Sequence, residues 1–145
     1  MNFAQIREMV EADLKIDQTD LDTESLRTPQ LHNKYLCIYH DEMLSLTALE
    51  HQLRRLAHNK REWYTGTMSK ERLDELKWEP YQKRILRQDL DEFIDADEDI
   101  ITVHAKIALQ REKVEYLRAI TKQITNRGWD IKNAIEWKKF INGTI

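Results

Sequence analysis

The densest chemistry in the chain lies in LRRLAHNKREWYTG, residues 53–66. There Arg54, Arg55, His58, Lys60 and Arg61 lead into Trp63, Tyr64 and a glycine. Cations at this density suit a polyanion, because lysine and arginine neutralise phosphates and release their counterions. Aromatic rings beside them suit single-stranded nucleic acid: unstacked bases lie on the rings while the cations hold the backbone. Duplex recognition needs a helix aimed into a groove, and no known double-strand motif is present. A structural reading competes with the binding one. Outward helix faces are commonly charged and solvated, and Trp63 is then a core residue. The formal net charge of -3 does not favour nucleic-acid binding, so the distribution of charge must carry any such case.

Catalytic constellations are missing from the sequence. None of the five histidines follows a glutamate by three residues, so the helical di-iron pattern fails, and HExxH, Walker and GxGxxG motifs are absent. Cys37 lies near His40, but thiol–imidazole pairs form in space rather than by adjacency in sequence. A non-enzymatic protein without cofactor or metal is expected. The stretch DLDEFIDADED, residues 89–99, holds seven acids and no base. It reads either as a solvated, repulsive loop or as a negative patch that docks a basic neighbour. A helix-loop-helix calcium site needs a glycine at its sharp turn, and this stretch has none.

Helices must position these groups, since three glycines and two prolines in 145 residues leave few turns. Phe3, Ile6, Val10 and Leu14 recur at helical spacing and predict a first helix over 2–15. DQTDLDTES reads as a polar connector, and Thr28–Pro29 as the N-cap and first turn of a helix running to Tyr64. In one heptad frame Tyr39, Leu46, Leu49, Leu53, Leu56 and Trp63 occupy a and d positions. Arg54 and Arg61 are then b, Arg55 is c, and His51 and His58 are f, all facing away from the apolar seam. Lys60 falls at a, where its stem can snorkel. A connection with a short helical piece follows Gly66. Ile100, Val103, Ile107, Val114, Leu117 and Ile124 form a second a/d stripe that Gly128 is expected to end. A last helix, residues 130–141, carries Ile131, Ile135, Trp137 and Ile141.

The expected architecture is all-α, two long amphipathic helices with shorter flanking ones. Residues 1–80 form a helical region bearing the basic face, and residues 81–145 hold the second long helix and the C-terminal helices. Narrow a/d stripes bury little in one chain, which favours contact with other copies over a monomeric bundle. A single cysteine fits a reducing cytoplasm, and no segment reads as a signal peptide or membrane span.

Three pieces in order resemble the UvsY family, the recombination mediators of T4-like phages. They are LKIDQTDL near the start, the basic-to-aromatic stretch ending WYTG, and NRGWDIKNAIEWKKFINGT at the end. The resemblance implies a non-enzymatic protein that binds single-stranded DNA as a ring-like homo-oligomer, a hexamer or heptamer. It implies a role in helping the phage RecA-like recombinase replace the single-strand-binding protein on DNA, in the cytoplasm of an infected bacterium. The family's Lys-x-Arg pair before the aromatic falls on His58 and Lys60, a departure at both positions, and Arg61 stands next to them to restore charge. DNA contact is thus expected from Arg54, Arg55, His58, Lys60, Arg61, Trp63 and Tyr64. The tail residues Trp129, Ile131, Ile135, Trp137, Phe140 and Ile141 resemble the family's oligomerising C-terminal helices. The alternative is a scaffolding coiled coil whose basic and acidic stretches bind each other.

Overall fold

A computed structural model describes residues 1–143, so Thr144 of the closing motif and Ile145 lie outside the described residues. It is all-α, with no strand among those residues. The helices are α1 (Phe3–Leu14), α2 (Leu21–Thr65), α3 (Lys70–Leu76), α4 (Leu90–Asp95, after a 3-10 turn over Arg87–Asp89) and α5 (Glu98–Ile141). Two long helices with shorter companions are what the periodicity predicted. All six residues of the second stripe, Ile100 to Ile124, are buried, whereas the α2 stripe is half-buried along its length.

Three boundaries differ from the sequence reading. Helix α2 starts at Leu21 rather than at Thr28, with Pro29 inside it. Its first turns are held by burial of Leu21 and by Glu24, whose carboxylate and carbonyl both accept from Arg127. Tertiary contacts thus outweigh the backbone bond that proline removes. Gly128 does not end α5. Its φ is not positive, and buried Ile124, Arg127 and Ile131 continue at helical spacing across it. The separate last helix is therefore the end of α5.

The chain divides into two compact units, Met1–Met43 with Glu112–Ile145, and Leu44–Arg111. Neither coincides with consecutive regions 1–80 and 81–145, because each is built from one stretch of each long helix. In the first, Ile6 and Val10 of α1 pack with Leu31, Tyr35, Leu117, Ile120 and Ile124. Asn2 and Gln5 form a capping box on α1. Asp13, near its other end, accepts from Lys34 Nζ at 2.6 Å and Tyr35 Oη at 2.7 Å. Burial pushes the Asp13 carboxyl up, but these two donors outweigh it and hold it below the usual carboxylate range. In the second unit Leu90, Ile94 and Ile100 pack against Leu53, Leu56, Ala57 and Tyr64.

Candidate nucleic-acid interface

The unit Leu44–Arg111 carries the basic stretch. Helix α2 ends in a Schellman motif, with Gly66 N–H on the Trp63 carbonyl at 3.2 Å and Thr67 N–H on Glu62 at 3.0 Å. Gly66 has φ +72°, so the glycine of WYTG is needed to turn the chain. Ser69 then caps α3 by accepting from the Arg72 N–H at 3.2 Å. This turn brings Arg72 against α2, where its Nη2 donates to Asn59 Oδ1 at 3.1 Å.

Arg54, Arg55, His58, Asn59 and Arg72 line an open cleft of about 390 Å³. Arg54, Arg55 and His58 are exposed, as their b, c and f positions predicted. His58 Nε2 meets Glu62 Oε1 at 3.1 Å, one helical turn on, and Arg72 pairs with Glu75 at 3.0 Å. Arg54 and Arg55 make no ion pair among the described residues.

The structure places the other cations differently. Lys60 is 5% exposed. Its ammonium lies 3.1 Å from Asp97 Oδ2 and 2.8 Å from Asp99 Oδ2, and sits over the rings of Trp63 and Trp78. The expectation that its stem would snorkel towards the basic face is therefore corrected: two carboxylates draw the head inward. Arg61 is exposed but pairs with Asp91 at 2.8 Å. The acidic run thus docks a basic neighbour, the second of its two readings.

Asp97 is the hub of this cluster. Its Oδ1 caps α5 by accepting from the N–H groups of Asp99 and Ile100, and its Oδ2 accepts from Tyr64 Oη at 2.7 Å. Burial would push the Asp97 carboxyl up, but the Tyr64 and Lys60 hydrogen bonds outweigh that and hold it below its usual range. Burial first, and then the hydrogen bond to Asp97, push the Tyr64 phenol far above its ordinary value. Trp63 Nε1 donates to the Glu79 carbonyl at 2.7 Å. Its ring meets Tyr64, Trp78 and Tyr81, with centroids 4.8, 5.9 and 4.9 Å apart. Trp63 and Tyr64 are half-buried.

Sequence reasoning missed Arg72, Trp78, Tyr81, Lys83, Arg84 and Arg87. The signal was available: KWEPYQKRILR, residues 77–87, repeats the mixture of cations and aromatics of the opening stretch.

The tail residues belong to the other unit. Trp129, Trp137, Phe140 and Ile141 are exposed, each above 60%, and the Trp137 and Phe140 rings stack at 5.6 Å. Ile135 is half-buried. Ile131, at 1%, is already covered by its own chain, because the stripe of α5 continues past Gly128. No helix among the described residues is long and apolar enough to cross a membrane, and none of their His, Cys, Asp and Glu groups could hold a metal ion.

These features define an all-helical protein whose concentrated surface chemistry is cationic and aromatic. A family model described as recombination, repair and ssDNA binding protein UvsY matches residues 9–144, and the chain belongs to that family. Three crystal structures of the bacteriophage T4 recombination mediator protein UvsY share the fold, each at 19% identity. Lattice type IV gives a TM-score of 0.83 over 97% of this chain and 99% of that one. Type II gives 0.82 over 98% of each, and type I gives 0.80 over 94% and 98%. At this identity the likeness is one of fold. No curated protein sequence matches the chain at a significant level.

Proposed function

We propose that this protein binds single-stranded DNA and acts as a recombination mediator. In this role it helps a RecA-like phage recombinase displace the single-strand-binding protein in the host cytoplasm. Family membership supports the role, and one observation carries the site: Arg54 and Arg55 stand exposed and unpaired beside His58 and Arg72 on one cleft. The scaffolding alternative draws on Lys60 and Arg61, which do bind the chain's own acidic run. That pairing leaves the two upstream arginines unspent.

A titration of single-stranded oligonucleotide across salt separates these readings. Each phosphate neutralised contributes about -0.7 to the slope of log affinity against log salt. Arg54→Ala with Arg55→Ala is expected to flatten the slope by about 1.4 per bound subunit and to weaken binding evenly across sequences. No binding by the parent protein would leave the scaffold reading standing.

One such face holds few charges, so tight binding comes from several faces linked in a homo-oligomer, the expected hexameric or heptameric ring. Its contacts in this proposal are Trp129, Trp137, Phe140 and Ile141, with Ile135 at the edge and Ile131 supporting them from within. Trp137→Ser with Phe140→Ser and Ile141→Ser should yield smaller particles by light scattering with helicity retained. Affinity for long single strands should fall by roughly 10²-fold. Unchanged particle size would place the oligomer contacts elsewhere.

A further inference from the structure

The segment between α3 and α4 has little regular structure, yet it is pinned at several points. Lys77 ends α3 in the left-handed region, φ 57°, a conformation that costs a residue with a side chain about 1–2 kcal/mol. The Trp78 N–H returns to the Leu73 carbonyl at 3.0 Å, which sets the direction in which the chain leaves. At the next residue the Glu79 carbonyl accepts from Trp63, and the Tyr81 ring packs edge-on against Tyr64 at 5.0 Å. At the far end the Asp89 N–H closes on the Leu86 carbonyl.

Held in this way, the segment walls two adjoining cavities that share Gln82 and Lys83. The first, about 370 Å³, is lined by Tyr64, Thr65 and Gly66 at the end of α2 and by Lys83, Arg84 and Arg87. No carboxylate lines it, and none of its three cations makes an ion pair among the described residues. The second, about 490 Å³, presents the rings of Trp63, Trp78 and Tyr81 together with Glu79, Asp99 and the lysines Lys60, Lys77 and Lys83. Both volumes lie in the range of small-ligand pockets.

The two cavities differ in what they accept. Three unpaired cations without a counter-charge favour a phosphate, whereas the second cavity mixes lysines with carboxylates, and its Lys60 is already paired with Asp97 and Asp99. Aromatic faces with nearby carboxylates suit a base, whose ring stacks and whose amino groups donate. Lys83 borders both cavities, where a backbone and its base diverge.

We propose that this segment is a nucleotide-binding groove, with a backbone phosphate held by Lys83, Arg84 and Arg87 and the adjoining base set against Trp63, Trp78 and Tyr81. The proposal rests on the single-stranded DNA reading and adds a second contact surface to the α2 cleft. It also gives the aromatic cluster a part in binding, separate from its packing.

The test uses the full-length chain. Affinity and salt slope are read on the unsubstituted parent, because Trp129 and Trp137 are proposed oligomer contacts. Quenching alone is read on a Trp129→Phe, Trp137→Phe variant in which only Trp63 and Trp78 emit. Oligodeoxycytidylate, whose base carries an amino group, should quench that emission. An abasic strand with the same number of phosphates should quench little and bind about tenfold more weakly or worse. Lys83→Ala with Arg84→Ala and Arg87→Ala should flatten the salt slope by about 2 per bound subunit. Lys83→Arg with Arg84→Lys and Arg87→Lys should restore it. These side chains are exposed, and an unchanged circular dichroism melt would verify that the fold survives. If the parent binds and the alanine variant keeps its affinity and slope, the groove is overturned while the DNA-binding reading stands. Equal quenching by abasic and base-bearing strands overturns the stacking half. A parent that fails to bind any single strand removes the underlying reading itself.

Discussion

Replacing Arg127 by leucine is expected to lower the unfolding free energy by about 3 kcal/mol, the low end of the cost of breaking a buried ion pair. Arg127 is 3% exposed and Glu24 is 7%. One guanidinium nitrogen, Nη1, donates to the Glu24 carbonyl at 2.6 Å and to Thr28 Oγ1 at 2.8 Å, and Nη2 to the Glu24 carboxylate at 2.5 Å. Leucine fills part of the volume but leaves a carboxylate out of water with one cation fewer. Two features keep the loss at the low end. Arg27 still reaches Glu24 at 3.1 Å, and Arg127 Nε is itself buried without a partner, so the native arrangement is already imperfect. The melting temperature should drop by roughly 10 °C at fixed protein concentration. Adding Glu24→Gln to the leucine variant should recover part of this, because the uncompensated charge is gone. A single-variant loss below about 1 kcal/mol would show that the pair contributes no more than an exposed one.

Lys60→Met should destabilise the protein by about 3 kcal/mol and weaken DNA binding, yet leave the salt slope unchanged. The position falls within the basic motif, so a contact to phosphate is the natural first expectation. Geometry points to another role. The ammonium is enclosed by Asp97, Asp99 and two indole rings, and Asp97 also holds Tyr64 and the first turn of α5. Methionine keeps the stem and removes the charge. Asp97 retains its Tyr64 and backbone donors, which prevents a complete loss of the cluster. Lower affinity would then follow from a loosened aromatic cluster, with the number of phosphate contacts preserved. The measurement is a salt titration below the melting transition, set beside the Arg54, Arg55 double variant. A flattened slope for Lys60→Met would return this lysine to the DNA.

Much of the fold was legible because periodicity reports burial. The stripe from Ile100 to Ile124 is apolar at six of its eight a and d positions, Gln110 and Thr121 being the others, and all six apolar residues are buried. Where tertiary contacts override local propensity, the reading failed. Pro29 and Gly128 are ordinary helix punctuation, but Glu24–Arg127 and the packing of Ile131 carry the helices past both. At the site, outward positions were assigned correctly for Arg54, Arg55 and His58. Lys60 was legible only in part, since its a position implied burial while its charge suggested solvent. What decided the matter was Asp97, far along the chain and hidden among seven acids that looked alike. The groove residues between α3 and α4 follow no period at all. Their composition alone marked them.

The division of the chain has a consequence for its synthesis. The unit Leu44–Arg111 is continuous in sequence, whereas the other joins Met1–Met43 to Glu112–Ile145. A chain emerging from the ribosome therefore presents α1 and the start of α2 long before Leu117, Ile120 and Ile124, their packing partners, exist. Residues 44–111 can meanwhile assemble their own core, whose partners lie closer in sequence than those of the other unit, and contacts of shorter separation form faster. The segment with the cations and aromatics is thus able to fold while the tail, with its exposed tryptophans, is still being made. Under the assembly proposed above, contact with other copies through that tail is then the last event of biogenesis.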